Sequence, residues 1–445
     1  MHRLVALALV LAPALVRAQP RLVATQGAFV TRGMPLGLRI DGLGAGDTAT
    51  IWAHRRMVRV SQGRADTVAL RSWARIAGAR GASVSVDSVA PVAGSWEGRA
   101  PLALLWSMAR TDSAVALAPG RVLVRLEWRG RTVDSLVLVI RGARPGVVAR
   151  WVQDSGFAGS YAAPSTPGRH PALLLLHGSE GGDSVAARTL AEAFANQGYA
   201  SLALTYFSWG GAIRGVPTAL VTVPLEMLDA ARAWLGRQPE ADTARTGIWG
   251  GSKGAELALV AASHRPWVRA VVACAPTDIV WSGFGRPPAD GERYSSWSDG
   301  GAALAYVPYD RYDDALNGTL TARAVHDRSR AKWADSARAA RIEVERTRAP
   351  ILLLAGERDE VWDSAPASRA IVATLTAAGR PRQATARTFA MAGHGVCGYG
   401  TTPWPFFERA MPTDAAPDAR ASARATDDAW HAAASFLRTH LDGSR

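Results

Sequence analysis

From Arg21 to Arg141 apolar and polar residues alternate in short β-type runs, PLGLRIDGL, TATIWAH, DTVALRSWARI, ASVSVDSV, RVLVRLEWRG and TVDSLVLVIRG, with glycine and aspartate between them. Alternation with a period of two sends one face of each run to a core and the other to solvent. Runs spaced about ten residues apart predict an antiparallel β-sandwich over residues 21–142. Proline and glycine in ARPGVV, residues 143–148, interrupt the pattern and mark the expected linker. From residue 147 onward the runs become continuously apolar: ALLLLHG (172–178), YASLALTYF (199–207), TGIWGG (246–251), VRAVVACAPT (268–277), APILLLAGE (349–357) and ARTFAMAGH (386–394). Strands buried on both faces read this way, and amphipathic stretches such as LEMLDAARAWLG (225–236) and DDAWHAAASFLRTHL (427–441) fall between or after them. Residues 147–445 therefore predict an α/β unit with a parallel sheet covered by helices. Its rhythm breaks over about 280–345, a segment rich in tryptophan, glycine and tyrosine and then in charge, which predicts an insertion over the sheet as a lid or pocket wall.

A chain of 445 residues is long enough for two domains of roughly 120 and 300 residues. With 48% hydrophobic and 20% charged residues it can bury a large core, which excludes global disorder. The start alters the picture. Arg3, an apolar run from Leu4 to Val16 and the Val16-Arg17-Ala18 site read as a signal peptide over residues 1–18, and 13 residues fall short of the ~20 that span a bilayer. The expectation is export to a periplasmic or extracellular compartment, with no stable membrane insertion after cleavage. The formal charge of +13 does not predict nucleic-acid binding, because the arginines are scattered rather than clustered.

Chemistry concentrates in GIWGGSKGAELALV, residues 247–260, where Ser252 stands in a G-x-S-x-G pattern. TGIWGG reads as a strand and AELALVAASH as a helix, so Ser252 falls on a strand-to-helix turn that presents a hydroxyl as nucleophile. A base must take its proton, and on this architecture the order is Ser, acid, His. His394, in MAGHGVCG after the last strand, is the expected base; His431 and His440 read as residues of the closing helix. Asp359 in LLLAGERDEVW is the expected acid, ahead of Asp278 and Asp363. The backbone N–H of Lys253 and that of Ser179, in the His177-Gly178-Ser179-Glu180-Gly181-Gly182 loop, are the expected oxyanion donors, with Glu180 next after Ser179 and His177 as an orienting residue. Activity is expected to rise through a histidine ionisation near ~6.5. No cofactor or metal is called for.

These motifs resemble those of the acyl-CoA thioesterase and bile acid-CoA:amino acid N-acyltransferase family, within the wider dienelactone-hydrolase-like α/β-hydrolases. SKGAEL is similar to that family's nucleophile elbow, GERDEVWDS (356–364) to its acid loop, and MAGH (391–394) to its histidine loop. PVAGSWEGRAPLALLWSM (91–108) resembles its sandwich signature, and DDAWHAAASFLRTHL its closing helix. The resemblance implies acyl-enzyme chemistry on a small-molecule acyl ester or thioester, with Ser252, Asp359 and His394 as the triad. A serine nucleophile favours hydrolysis, and acyl transfer to an amine or alcohol is the alternative. A non-catalytic ligand-binding protein is a third reading. Family members act on CoA thioesters inside cells, whereas a leader would send this chain where CoA is not expected, which leaves esters, non-CoA thioesters and amides open.

Two features stay open. Lys253, one of two lysines in the chain, opposes the dipole at a helix start, and either pairs with Glu256 or faces the pocket. Cys274 and Cys397, the only cysteines, fall on the same face of the predicted sheet; they either bridge, closing a loop of 123 residues, or Cys274 is a buried small hydrophobe.

Overall fold

A computed structural model describes residues 19–61, 64–112, 115–154, 156–283, 285, 294–399, 401 and 418–442. The leader expected at residues 1–18 lies outside them, as do 284 and 286–293 of the expected insertion. The alternating runs of the first part form two sheets. The larger has the spatial order Phe29–Thr31, Arg131–Arg141, Arg121–Trp128, Thr48–Ser61, Arg64–Ala77, Ala93–Gly94, with Ala109–Arg110 also paired to Arg64–Ala77. The smaller joins Arg21–Ala24, Leu38–Asp41 and Ser83–Ser85. The pairings are antiparallel except that of Phe29–Thr31 with Arg131–Arg141. Alternation does what the sequence requires of it: in RVLVRLEW, Val122, Val124 and Leu126 are buried in one core with Leu38 and Ile40. The short helix Ala103–Trp106 lies wholly buried in the same core.

The chain then forms one eight-stranded sheet, whose elements are β1 (Val147–Asp154), β2 (Phe157–Pro164), β3 (His170–Leu176), β4 (Ala200–Thr205), β5 (Ala241–Gly251), β6 (Val268–Cys274), β7 (Ile351–Gly356) and β8 (Ala384–Phe389). The spatial order is β1-β2-β4-β3-β5-β6-β7-β8, antiparallel at β1-β2 and β2-β4 and parallel from β4 onward. Helices α1 (Ser184–Asn196), α2 (Glu226–Gly236), α3 (Lys253–His264), α4 (Ser364–Ala377) and α5 (Ala419–Leu441) cover it. This is the order of an α/β-hydrolase sheet. The first two strands are absent from the sequence prediction for a physical reason. FAGSYAAP is buried at all eight positions, but six of them carry small residues between and after Phe157 and Tyr161, so no continuous large apolar run announces it.

Helix α5 begins eight residues before the predicted start at Asp427 because Asp418 caps it, its carboxylate accepting from the N–H of Ala421. Its inner face also locks the two parts of the chain together. The Trp430 indole donates to the Gly33 carbonyl (2.8 Å) and the Trp106 indole to Asp427 (3.2 Å). Gly33 has φ +76°, and a Cβ there would lie 2.5 Å from the Trp430 ring, so this contact requires glycine. No helix among the described residues is long and apolar enough to cross a membrane.

Candidate active site

The turn between β5 and α3 carries Ser252 at φ 55°, ψ −121°, a conformation that costs a non-glycine residue about 1–3 kcal/mol. Its neighbours explain how the turn is held. A Cβ on Gly250 would lie 2.1 Å from the Gly254 carbonyl oxygen, and a Cβ on Gly254 would lie 2.3 Å from that of Leu176. Both glycines of the G-x-S-x-G pattern are therefore steric requirements of the close passage between helix, strand and loop. The Ser252 N–H donates to the Cys274 carbonyl (2.9 Å), tying the turn to the end of β6.

Parallel pairing brings the C-terminal ends of β5, β7 and β8 to one edge, where open α/β sheets bind ligands. Asp359 follows β7 and His394 follows β8. His394 Nε2 lies 2.9 Å from Ser252 Oγ, and His394 Nδ1 lies 2.9 Å from both carboxylate oxygens of Asp359. Asp359 is buried, and one of its oxygens also accepts from the N–H groups of Val361 and Trp362. Burial pushes its carboxyl up, but the His394 charge and these hydrogen bonds outweigh that, and it titrates below the ordinary range. For His394 burial acts downward, whereas Asp359, then Glu360 and Glu180, act upward and prevail, so the imidazole titrates above its ordinary value.

The other acids considered from sequence are engaged elsewhere. Asp278 forms a two-pronged pair with Arg330 (2.7 and 2.8 Å), and Asp363, at the start of α4, pairs with Arg323. His431 lies 3.4 Å from Asp427 on α5. Sequence reasoning missed two supports of the base. Glu360 accepts from the backbone N–H of His394 (2.8 Å), and Trp362 packs edge-on against the imidazole with ring centres 5.2 Å apart. Their adjacency to Asp359 in one loop was the available signal.

As the first residue of α3, Lys253 has an N–H without an intrahelical acceptor, beside the Ser252 hydroxyl. Ser179 sits in the turn after β3, and the Trp209 indole donates to its carbonyl (3.1 Å). Glu180 bends back to accept from the Gly178 N–H (2.9 Å), and a Cβ on Gly178 would lie 3.2 Å from that of Ser252. His177 stacks on Tyr206 with ring centres 4.0 Å apart, and its Nδ1 lies 2.8 Å from the Gly178 carbonyl oxygen. Burial pushes the His177 imidazole down, so it is a neutral group holding that carbonyl.

The Lys253 side chain does not reach the pocket. It is buried, and its ammonium donates to Glu256 (2.7 Å) and to the Trp281 carbonyl (3.3 Å). Glu256 also accepts from the Trp297 indole (2.7 Å). Burial drives the ammonium pKa down and the carboxyl pKa up, and their mutual attraction opposes both shifts. The pair anchors Trp281 and Trp297 of the inserted segment to α3.

A cavity of about 510 Å³ opens beside Ser252 and His394. Its inner wall is apolar: Leu175 and Ala203 of the sheet, Leu190 of α1, Trp249 of β5 and Trp430 of α5. The described residues of the inserted segment take no part in this wall, contrary to the expectation of a lid there. His326 of that segment instead stacks edge-on against Trp362 (5.5 Å), behind His394. Cys274 and Cys397 do form a disulfide, with Cα atoms 6.0 Å apart, and both line the cavity.

A sequence model of the family described as "BAAT / Acyl-CoA thioester hydrolase C terminal" matches residues 223–443, a span that contains Ser252, Asp359 and His394. This region of the chain is similar to that family. Over 386 residues the chain is 25% identical to "Acyl-coenzyme A thioesterase 1" of Homo sapiens, covering 81% of this chain and 84% of that one. It is 24% identical to "Acyl-coenzyme A thioesterase 5" of Mus musculus over 436 residues, 92% of this chain and 94% of the other. Among solved structures, a putative dienelactone hydrolase from Klebsiella pneumoniae aligns with TM-score 0.39 and 16% identity, over 65% of this chain and 98% of that one. The matched region carries all three groups of the hydrogen-bonded line, whereas β1 to β4 and the sandwich precede it.

Proposed function

We propose that this chain is an exported serine hydrolase that cleaves an acyl thioester or ester through an acyl-enzyme intermediate. It is a hydrolase of the acyl thioester and ester class by kinship. The observation that carries the finer reading is the unbroken line from Ser252 Oγ through His394 to buried Asp359. Ser252 attacks the acyl carbon while His394 Nε2 takes the hydroxyl proton, and Asp359 stabilises the imidazolium. The Lys253 and Ser179 N–H groups receive the developing oxyanion. His394 returns the proton to the departing thiol or alcohol, and the acyl group remains on Ser252. Water then repeats the sequence, losing a proton to His394 and releasing the acid. Export is supported by the leader-like start and by the disulfide, since such bonds persist in oxidising compartments. A fluorophosphonate probe is expected to label Ser252, and a panel of acyl thioesters and p-nitrophenyl esters to yield free acid. Products dominated by an amide when an amine is added would overturn hydrolysis.

The field around His394 sets the pH dependence. Its neutral form is the base, and because its carboxylate neighbours raise its pKa, kcat/KM is expected to rise with pH through a midpoint above ~6.5. The midpoint thus moves up from the value expected from sequence. Glu360→Gln removes one raising charge yet keeps an acceptor for the His394 N–H, so its midpoint is expected to fall. Profiles recorded with a substrate slow enough for chemistry to limit the rate check this, and equal midpoints would refute the assignment of Glu360.

A further inference from the structure

The cavity beside Ser252 has a charge pattern at odds with that of the whole chain. The protein carries a formal charge of +13, with 51 lysines and arginines, yet no lysine or arginine is among the described residues lining this cavity. Beside the two histidines, the ionisable side chains on its wall among the described residues are the carboxylates Glu180 and Asp183 and the phenol of Tyr399. Both carboxylates are exposed, while Leu175, Ala203 and Trp430 on the same wall are buried. The carboxylates therefore form the outer rim and the apolar groups the interior.

Each rim carboxylate is held in place. Glu180 accepts from the Gly178 N–H, and Asp183 caps α1 by accepting from Val185 (2.8 Å) and Ala186 (2.9 Å). Arg188 on α1, beside the lining residue Ala187, pairs with Glu192 (2.7 Å). A third carboxylate, Glu360, lies behind His394 and adds to the negative field at the reacting atoms.

A substrate with its carbonyl at Ser252 has two ends to accommodate. The apolar interior takes an acyl chain by excluding water from it. The leaving group must then pass the rim. A leaving group bearing several phosphates would bring like charge against two fixed carboxylates, with no cation among the described lining residues to receive it, and like-charge juxtaposition disfavours both encounter and binding.

Resting on the hydrolase reading above, we propose that the physiological substrate is an acyl thioester or ester whose leaving group is neutral or cationic, and that the Glu180–Asp183 rim selects against polyanionic leaving groups such as CoA. The rim, and not the acyl pocket, then separates this chain's substrate from the acyl-coenzyme A thioesters for which its relatives are named.

The test uses one acyl chain on two thiols, pantetheine, which is neutral, and CoA, with free thiol released as the readout. At low salt kcat/KM for the acylpantetheine is expected to exceed that for the acyl-CoA by ~10-fold or more. The gap should shrink as salt is added, because screening shortens the reach of exposed charges to about 10 Å or less at 0.1 M and above. It should also shrink in the Glu180→Gln/Asp183→Asn variant, where asparagine still caps α1. Taking the ratio of the two substrates within each protein cancels any general loss from disturbing the Gly178 loop. An acyl-CoA cleaved as fast as the acylpantetheine at low salt overturns the inference and leaves the hydrolase reading standing. A gap that ignores both salt and the variant overturns it too, since size and not charge would then be at work. Absence of turnover on both substrates, together with no fluorophosphonate label on Ser252, sinks the hydrolase reading itself.

Discussion

Ser252→Ala, His394→Ala and Asp359→Asn are each expected to lower turnover by ~10⁴-fold or more, and the Ser252→Ala/His394→Ala pair to be little worse than either alone. The non-additivity follows from the single line of hydrogen bonds. Without the Ser252 hydroxyl, the imidazole 2.9 Å away has no proton to take, so removing it as well costs little. Asparagine at 359 keeps the shape, but its amide can turn a donor toward Nδ1, and that favours the tautomer with the proton on Nε2, where a base must be bare. The stability of the Ser252→Ala protein should be nearly unchanged, because the change deletes one hydroxyl. Single-turnover kinetics with the best substrate found, alongside circular dichroism, check this. Near-parental turnover in Ser252→Ala would remove Ser252 from the role of nucleophile.

Opening the Cys274–Cys397 bridge is expected to have the next largest effect. In the chain-entropy model a crosslink closing a loop of this size, 123 residues, stabilises the fold by ~4–5 kcal/mol. Here the bridge also does local work. Cys274 ends β6 and its carbonyl receives the Ser252 N–H, while Cys397 lies three residues beyond His394. One covalent link therefore holds the base's loop to the strand that holds the nucleophile's turn. The Cys274→Ala/Cys397→Ser variant is expected to unfold at lower urea and to lose ~10–100-fold in kcat, since small displacements of a catalytic group are costly in rate. Urea titrations of both proteins, with thiol counts by mass spectrometry before and after reduction, decide the matter. Two alkylatable thiols in the unreduced parent, or equal urea midpoints, would show that the bridge does not carry this load.

Much of this molecule is legible in the order of its residues because the physics involved is local. ALLLLHG and APILLLAGE sit in strands buried on both faces, which demands unbroken apolar runs. The alternating RVLVRLEW has one wet face and says so. Gly250 and Gly254 announce the turn at Ser252 because two backbones pass too closely there for any side chain. Glycines likewise flank His394 in its loop. Tertiary structure alone decided the rest. FAGSYAAP is an inner strand, second from the sheet edge, where small residues suit close neighbours: a Cβ on Gly159 would lie 2.5 Å from the Ala203 carbonyl oxygen. The fate of Lys253 turned on burial, which makes Glu256 a near-obligatory partner for a charge removed from water. Whether Cys274 and Cys397 meet depends on a Cα distance that a sequence separation of 123 does not encode locally. The cavity wall is assembled from β3, β5, α1 and α5, with α5 seated against Gly33 far earlier in the chain. Glu180 and Asp183 are neighbours in the sequence, but that they border an apolar cavity is a property of which distant side chains converge, and convergence is what a linear pattern does not record.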